Sequence, residues 1–261
     1  MSNGLQRGLA ILESLTGEAN GLQLHTIAEA IGAPRSAVHR LLGTLCEQGY
    51  VEQEHAAGSY RLSLKAVSLA LRHLSQSGLV DIAQPIMDRL AEHSGELVRL
   101  SIVDGERLVW VAKAQGCRSG LRYDPESGAE ARLSCSASGI AWLSCMSDAE
   151  ALGRVRRQGF GQPADFGPRA PVTEQELLVR LQRARTDGYA RVEETFEAGT
   201  AALAAPICRQ RGAPIGVLSI GGPSVRLPEP RMEELAPALL HASRELADLR
   251  LALAPPLALV H

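Results

Sequence analysis

The sequence predicts an α+β chain in two parts: a small, mostly helical N-terminal part and a larger mixed α/β part. Three observations carry this. Apolar residues recur at helical spacing through residues 5–16, 24–31 and 38–45, with Gly17, Gly32 and Gly49 at the breaks. Two short alternating segments, 50–54 and 59–62, flank a loop that ends in Gly58. Beyond residue 95, β-rich runs in three groups are preceded and followed by helical runs.

The first helix covers residues 5–16, with Leu5, Leu9, Ile11, Leu12 and Leu15 as its stripe. A polar loop, 18–21, leads to a short helix over 24–31 that buries Ile27, Ala28 and Ile31 and stops at Gly32. The third helix opens near Pro34, which a first turn tolerates because its missing N–H would be unpaired there. It buries Val38, Leu41, Leu42 and Leu45 and shows Arg35, Ser36, His39 and Arg40 on the other face. Two short helices joined by a tight glycine turn form a helix-turn-helix, and the hairpin that follows forms a wing. A helix fixed on one side and rich in donors at its front suits the major groove of DNA, although such a face is also found on ordinary amphipathic helices.

Residues 64–76 carry Leu64, Val67, Leu71 and Leu74 as another stripe. That pattern alone leaves open whether the helix packs on its own domain or links two. The second part opens with a helix over 81–94, closed by Gly95. A hairpin over 97–114 turns at Asp104-Gly105, and 121–123 reads as a further short strand. A helix starts at Ser138, and Ser147/Glu150 and Thr173/Glu176 are capping boxes for the next two. Strands follow at 189–193, 203–208 and 214–220, the last two joined by Gln210-Arg211-Gly212, before a final helix over 230–251.

Length and composition fit this plan. A chain of 261 residues can build two cores, and its 3% aromatic content makes them aliphatic. No signal-peptide pattern opens the chain and no apolar run is long enough for a membrane span, so the expected compartment is the cytoplasm. Five cysteines without a CxxC pair read as reduced thiols. The net charge of −2 gives no support to DNA binding. Within residues 1–62, Arg7, Arg35, Arg40 and Arg61 are outnumbered by Glu13, Glu18, Glu29, Glu47, Glu52 and Glu54.

The run GLQRGLAILESL…LQLHTIAEAIGAPRSAVHRLLGTLCEQGYVEQEHAAGSYRL resembles the DNA-binding domain of the IclR family of bacterial transcription regulators, and the likeness extends over nearly the whole chain. The resemblance implies a winged helix-turn-helix domain (1–62), a linker helix (63–78) that helps pair subunits, a GAF-like effector-binding domain (79–252) and a tail (253–261). It assigns base reading to Arg35, Ser36, Ala37, His39 and Arg40, with Thr44 nearer the backbone and Arg61 on phosphate. Ala37 stands where relatives commonly have a hydroxyl residue. The implied partners are operator DNA, a small-molecule effector and further copies of the chain, as a homodimer pairing into a tetramer.

For the effector, the resemblance points to Leu121, Cys135, Ser138, Gly139, Ile140, Met146, Val192, Ala202, Ser219 and Gly221. Free amides at Gly139 and Ile140 are expected to meet an anionic oxygen. Relatives that bind small oxo-acids have polar groups where this chain has Val192, Ala202 and Gly221. The expected ligand is therefore a largely apolar organic acid, plausibly aromatic. A slip of a residue or two would instead turn Glu193 or Glu194 inward and restore a polar pocket.

Rival classes find little support. Most histidines fall in the first domain and the linker, and none is placed beside a cysteine by any pattern, so no nucleophile–base pair is legible and no enzyme is expected. No metal or cofactor is expected either. A redox pair of Cys135 and Cys145 is a lesser alternative. The acidic balance keeps open a metabolite-binding module with a weak DNA-binding domain.

Overall fold

The computed structural model describes residues 3–54, 58–125, 128–161, 163–209 and 213–249. The chain forms two compact units, Met1–Gln76 and Ser77–His261.

In the first unit, α1 (Gly4–Ser14) starts from a capping box: Gln6 N donates to Asn3 Oδ1 and Asn3 N to Gln6 Oε1, both at 2.9 Å. Helix α2 (Leu24–Ala30) and helix α3 (Arg35–Glu47) meet at a turn where Gly32 takes a φ of +61°, which glycine adopts without steric cost. Pro34 is the N-cap of α3 rather than part of its first turn; its ψ of 137° is extended, so the helix begins one residue later. A three-stranded sheet, ordered β1-β3-β2, completes the unit from β1 (Leu22–Gln23), β2 (Val51–Glu54) and β3 (Ser59–Leu62). The hairpin runs in register from Val51↔Leu62 to Glu54↔Ser59. The expected wing loop at 55–57 lies outside the described residues. Strand β1, two residues long and paired with β3, is too short to show alternation in the sequence. Ile11, Leu15, Ile27, Val38, Leu42 and Val51 make the core.

Helix α4 (Leu64–Ser77) follows. Lys65 ties its start to the unit, donating to Gln48 O at 2.6 Å and lying 4.6 Å over the Tyr50 ring. Its Leu64, Val67, Leu69 and Leu71 are exposed.

The second unit is built on a five-stranded antiparallel sheet, ordered β5-β4-β8-β7-β6. Its strands are β4 (Leu97–Asp104), β5 (Arg107–Gln115), β6 (Ala190–Glu193), β7 (Thr200–Cys208) and β8 (Pro214–Pro223). Central strands β7 and β8 bury residues of both parities, as a sheet covered on two faces requires. Helix α5 (Leu79–Ser94) and helix α9 (Glu229–Asp248) pack together and on the sheet. Helix α6 (Ala137–Leu143) lies on β7 and β8 and joins a second core with α7 (Asp148–Gln158) and α8 (Glu174–Asp187). Ser147 and Thr173 cap α7 and α8 as expected, accepting from Glu150 N and Glu176 N.

Three expectations need correction. Residues 121–123 are not a strand: their carbonyls go to side chains, Leu121 O to Arg226 and Tyr123 O to Gln115, and not to a ladder. Helix α6 begins at Ala137, because Ser136 is its N-cap. Strand β7 starts three residues earlier than the pattern suggested, since the small residues Thr200, Ala201 and Ala202 hide the alternation. The 210–212 turn and the 253–261 tail lie outside the described residues.

Candidate nucleic-acid interface and ligand cavity

On α3, packing separates the two faces that the spacing implied. Val38 and Leu42 are buried, whereas Arg35, Ser36, His39, Arg40 and Thr44 are exposed and Ala37 is half-buried. Among the described residues neither Arg35 nor Arg40 meets a carboxylate, so both guanidiniums stand ready for an outside acceptor. Pro34 offers no side-chain cap, which leaves the first amides of α3 open as well. Two expected contributors are engaged elsewhere. Arg61 in the hairpin is ion-paired with Glu52 across the strands at 3.1 Å. Thr44 donates to Arg40 O at 3.3 Å and borders an apolar groove of about 470 Å³ lined by Leu5, Leu9, Leu12, Leu41, Leu45 and Tyr50.

In the second unit a cavity lies between the start of α6 and the sheet. Five expected residues come together in its wall: Ser138, Val192, Ala202, Ser219 and Gly221. The space a water-sized sphere can occupy is about 40 Å³, within a larger opening of about 470 Å³. The closed space holds a few waters at most, since one needs roughly 10–15 Å³.

The sequence reading missed the strongest feature of this cavity. Arg99, in the middle of β4, is 6% exposed and lines it, with its Cζ 3.7 Å from the centre of the Trp110 ring. Burial lowers its pKa to about 10 against the opposing pull of Tyr123 and Asp124, so it is charged at neutral pH. Trp110 is also buried, and its Nε1–H has no hydrogen-bond partner among the described residues. Tyr123 closes one side over Gly221, where an added Cβ would sit 3.6 Å from the ring. Burial and a hydrogen bond to the Glu197 carboxylate push the Tyr123 hydroxyl up to about 12, so it is a neutral phenol. Phe196 stacks edge-on to Trp110 at 5.8 Å, and Thr195 donates to Cys135 O.

The remaining expected residues are not in the wall. Gly139 N is taken by Ser136 Oγ at 3.0 Å and Ile140 N by Ser136 O at 3.0 Å, so neither amide is free for a ligand. Gly139 is needed for another reason: a Cβ there would come 2.5 Å from the Leu133 backbone. Ile140 belongs to the core, Met146 packs against its edge and Leu121 is 68% exposed. Cys135 is buried, which pushes its thiol up to about 12 and leaves it inert at neutral pH. It does not pair with Cys145, whose Sγ donates to Ala141 O at 3.5 Å. Nor do the acids turn inward: Glu193 is held by Arg169, and Glu194 accepts from Gly199 N.

Charge at the centre of the apolar run Leu97-Val98-Arg99-Leu100-Ser101-Ile102-Val103 was the available sequence signal. An arginine flanked by buried aliphatics in a strand is rare unless something pairs with it.

Two family models divide the chain. The IclR helix-turn-helix domain matches residues 4–55 and the bacterial transcriptional regulator IclR C-terminal domain matches 71–248. The chain belongs to the IclR family. It is 28% identical over 243 residues to the transcriptional repressor IclR of Escherichia coli, covering 92% of this chain and 87% of that one. The IclR transcriptional regulator of Alicyclobacillus acidocaldarius superposes with a TM-score of 0.80 at 21% identity, over 95% of this chain and 98% of its own. An IclR homolog from Microbacterium hydrocarbonoxydans, complexed with 4-hydroxybenzoate, gives 0.76 at 22%, over 94% and 99%. This IclR-family chain is thus a helix-turn-helix regulator of transcription and not an enzyme. Among its described residues no group of three or more His, Cys, Asp and Glu side chains could hold a metal, and no helix is long and apolar enough to cross a membrane.

Proposed function

We propose that this IclR-family protein is a cytoplasmic homodimeric repressor that reads its operator through Arg35, Ser36, His39 and Arg40 and responds to an aromatic acid bound in the second unit. Repression is the mode named for the Escherichia coli relative. The exposed and unpaired donor face of α3 supports the DNA role, with the open amides at its start available to a phosphate. Ala37 sits beside this face and can give only apolar contact to a base.

The observation that carries the effector class is Arg99. A guanidinium offers five N–H donors in a fork that fits a carboxylate. Its guanidinium lines the cavity beside Trp110, within reach of a carboxylate that enters there. Val192, Ala202, Phe196 and Ala137 offer an apolar surround for a ring, and Trp110 Nε1 offers a donor to a polar substituent. An IclR homolog of the same fold, 22% identical, was crystallised with 4-hydroxybenzoate, which supports an acid of this kind. Room for a ring requires Tyr123 or Phe196 to swing out of the closed cavity.

Dimerisation follows from exposed apolar surface and from weak electrostatics. Leu5 and Leu9 of α1 and Leu64, Val67 and Leu71 of α4 are left uncovered in the single chain. One reader with few cations binds DNA poorly, and linking two raises effective concentration without new contacts. We propose a dimer of dimers as the DNA-bound form.

A salt-titrated mobility-shift assay with the protein's own upstream DNA tests the reading, repeated with 4-hydroxybenzoate present. Specific binding that the aromatic acid modulates supports it. Absence of sequence preference at low salt would show that the first unit is a degenerate reader and leave only a ligand-binding module, the outcome that the acidic balance and the Arg61–Glu52 pair favour.

A further inference from the structure

The sheet register gives the ligand cavity a direction. Val192 of β6, Ala202 of β7 and Gly221 of β8 are successive cross-strand partners. Ser219, two residues from Gly221 on the same face, stands opposite Arg99 of β4. All five line the cavity, so its wall crosses four neighbouring strands, from a buried guanidinium at β4 to a buried isopropyl group at β6. Strands lie about 4.8 Å apart, and three such steps separate the two ends by about 14 Å. A benzoate covers little more than one step.

The lining changes character along that line. Arg99 and Ser219 make the β4 end polar. The middle is low, because Gly221 and Ala202 carry no atom beyond Cβ. Val192, with Phe196 from the turn after β6, makes the other end apolar. Over the middle strands α6 presents Ser138, which is 2% exposed and lines the cavity. Ser136, Thr195, Thr200 and Ser219 all donate to backbone carbonyls. The Ser138 hydroxyl makes no hydrogen bond among the described residues. A buried hydroxyl without a partner is costly unless a bound group supplies one.

We propose that the effector is an extended aryl acid whose carboxylate meets Arg99, whose two-atom linker carries an oxygen past Ser138, and whose ring lies against Val192 and Phe196. This inference rests on the aromatic-acid reading of the cavity and narrows it. With its carboxylate on Arg99, a benzoate ring stops over Gly221 and Ala202 and leaves both Ser138 and the Val192 end unused. Two linking atoms carry the ring about one strand further, where it removes more apolar surface from water. An oxygen in the linker gives the Ser138 hydroxyl an acceptor.

The test is calorimetric titration of the full chain with benzoate, 3-phenylpropanoate and phenoxyacetate. The last two have the same length and differ by an oxygen in place of a methylene. 3-Phenylpropanoate should bind about ten-fold more tightly than benzoate, from the extra buried apolar surface. Phenoxyacetate should gain roughly a further two- to ten-fold from one hydrogen bond. Ser138→Ala should bring phenoxyacetate down to the level of 3-phenylpropanoate. Val192→Phe fills the far end, so it should weaken the two longer acids about ten-fold and spare benzoate, whose unchanged affinity shows an intact cavity. If that variant does not fold, Val192→Ala decides: it should weaken the longer acids about three-fold and again spare benzoate. Benzoate binding as tightly as the longer acids, equal losses for all three acids in the Val192 variants, or phenoxyacetate insensitive to Ser138→Ala would overturn the proposal. Tight binding of benzoate alone would leave the aromatic-acid reading standing and sink this one, whereas binding of none of the three would sink both.

Discussion

The guanidinium of Arg99 lies 3.7 Å above the Trp110 ring, and both side chains are more than nine-tenths buried in the cavity wall. The ring face attracts the cation, by about 2 kcal/mol where water is excluded. Burial lowers the Arg99 pKa to about 10, so the guanidinium stays charged at neutral pH and offers N–H donors to a carboxylate that enters the cavity.

From this, aromatic monocarboxylates should raise the melting temperature, and Arg99→Met should abolish the effect while leaving the sheet folded. A hydrogen bond to a charged partner contributes about 1.5–3 kcal/mol, so affinity should fall roughly ten- to more than hundred-fold. Calorimetric titration of 4-hydroxybenzoate into both proteins gives the comparison. Stabilisation by glyoxylate or pyruvate, with none by aromatic acids, would contradict the assignment.

The helical unit was more legible in the sequence than the cavity, and the reason is range. Gly32, Gly49 and the Val38–Leu45 stripe act within a turn or two of themselves, so spacing alone reveals them. Val192, Ala202, Ser219 and Gly221 were placed together by family likeness, and the sheet does align them: Val192↔Ala202 and Ala202↔Gly221 are cross-strand partners. Arg99 reaches the same wall only because β4 pairs with β8, Arg99 opposite Ser219 across 120 residues of sequence. Nothing local announces that pairing. The free amides expected at Gly139 and Ile140 failed for a local reason instead: Ser136, not Ser138, caps the helix.

Arg40→Ala should remove operator preference without unfolding the first unit, since Arg40 is exposed and outside the core. One bidentate arginine–guanine contact is worth about 1–3 kcal/mol of discrimination. Competition binding with operator and scrambled DNA measures it, and the circular dichroism spectrum should be unchanged. With Arg61 tied to Glu52, few cations remain for phosphate, so the salt slope per chain should be shallow. Wild-type discrimination by the variant would move base reading to another surface.

Placing a charge in the exposed stripe of α4 should separate the subunits. Leu71, 56% exposed in the single chain, can accept aspartate without disturbing either core. Light scattering at micromolar concentration should give a dimer or tetramer for the wild type and a smaller species for Leu71→Asp, with DNA affinity reduced at least ten-fold. A wild-type monomer would rule out α4 as the seam.

Arg226 should prove the anchor of the segment that closes the cavity. Its Nε and Nη2 grip both oxygens of Glu96 at 2.6 and 2.8 Å, and its Nη1 holds Leu121 O at 2.7 Å. Tyr123, two residues further on, covers the ligand wall. Glu96 is 5% exposed at its side chain while Arg226 keeps 33%, so removing the arginine strands a buried carboxylate. Arg226→Met should therefore cost about 3 kcal/mol, the low end for a buried pair because the arginine is partly solvated. In the double variant with Glu96→Gln, no stranded charge remains, and most of that loss should return. Chemical denaturation of the four proteins gives the coupling energy directly. Ligand association supplies a second readout: with Leu121 O released, Tyr123 should open more readily and 4-hydroxybenzoate should bind faster to Arg226→Met than to wild type. Equal stabilities for the single and double variants, together with unchanged association rates, would mean that Arg226 neither neutralises Glu96 nor restrains Tyr123.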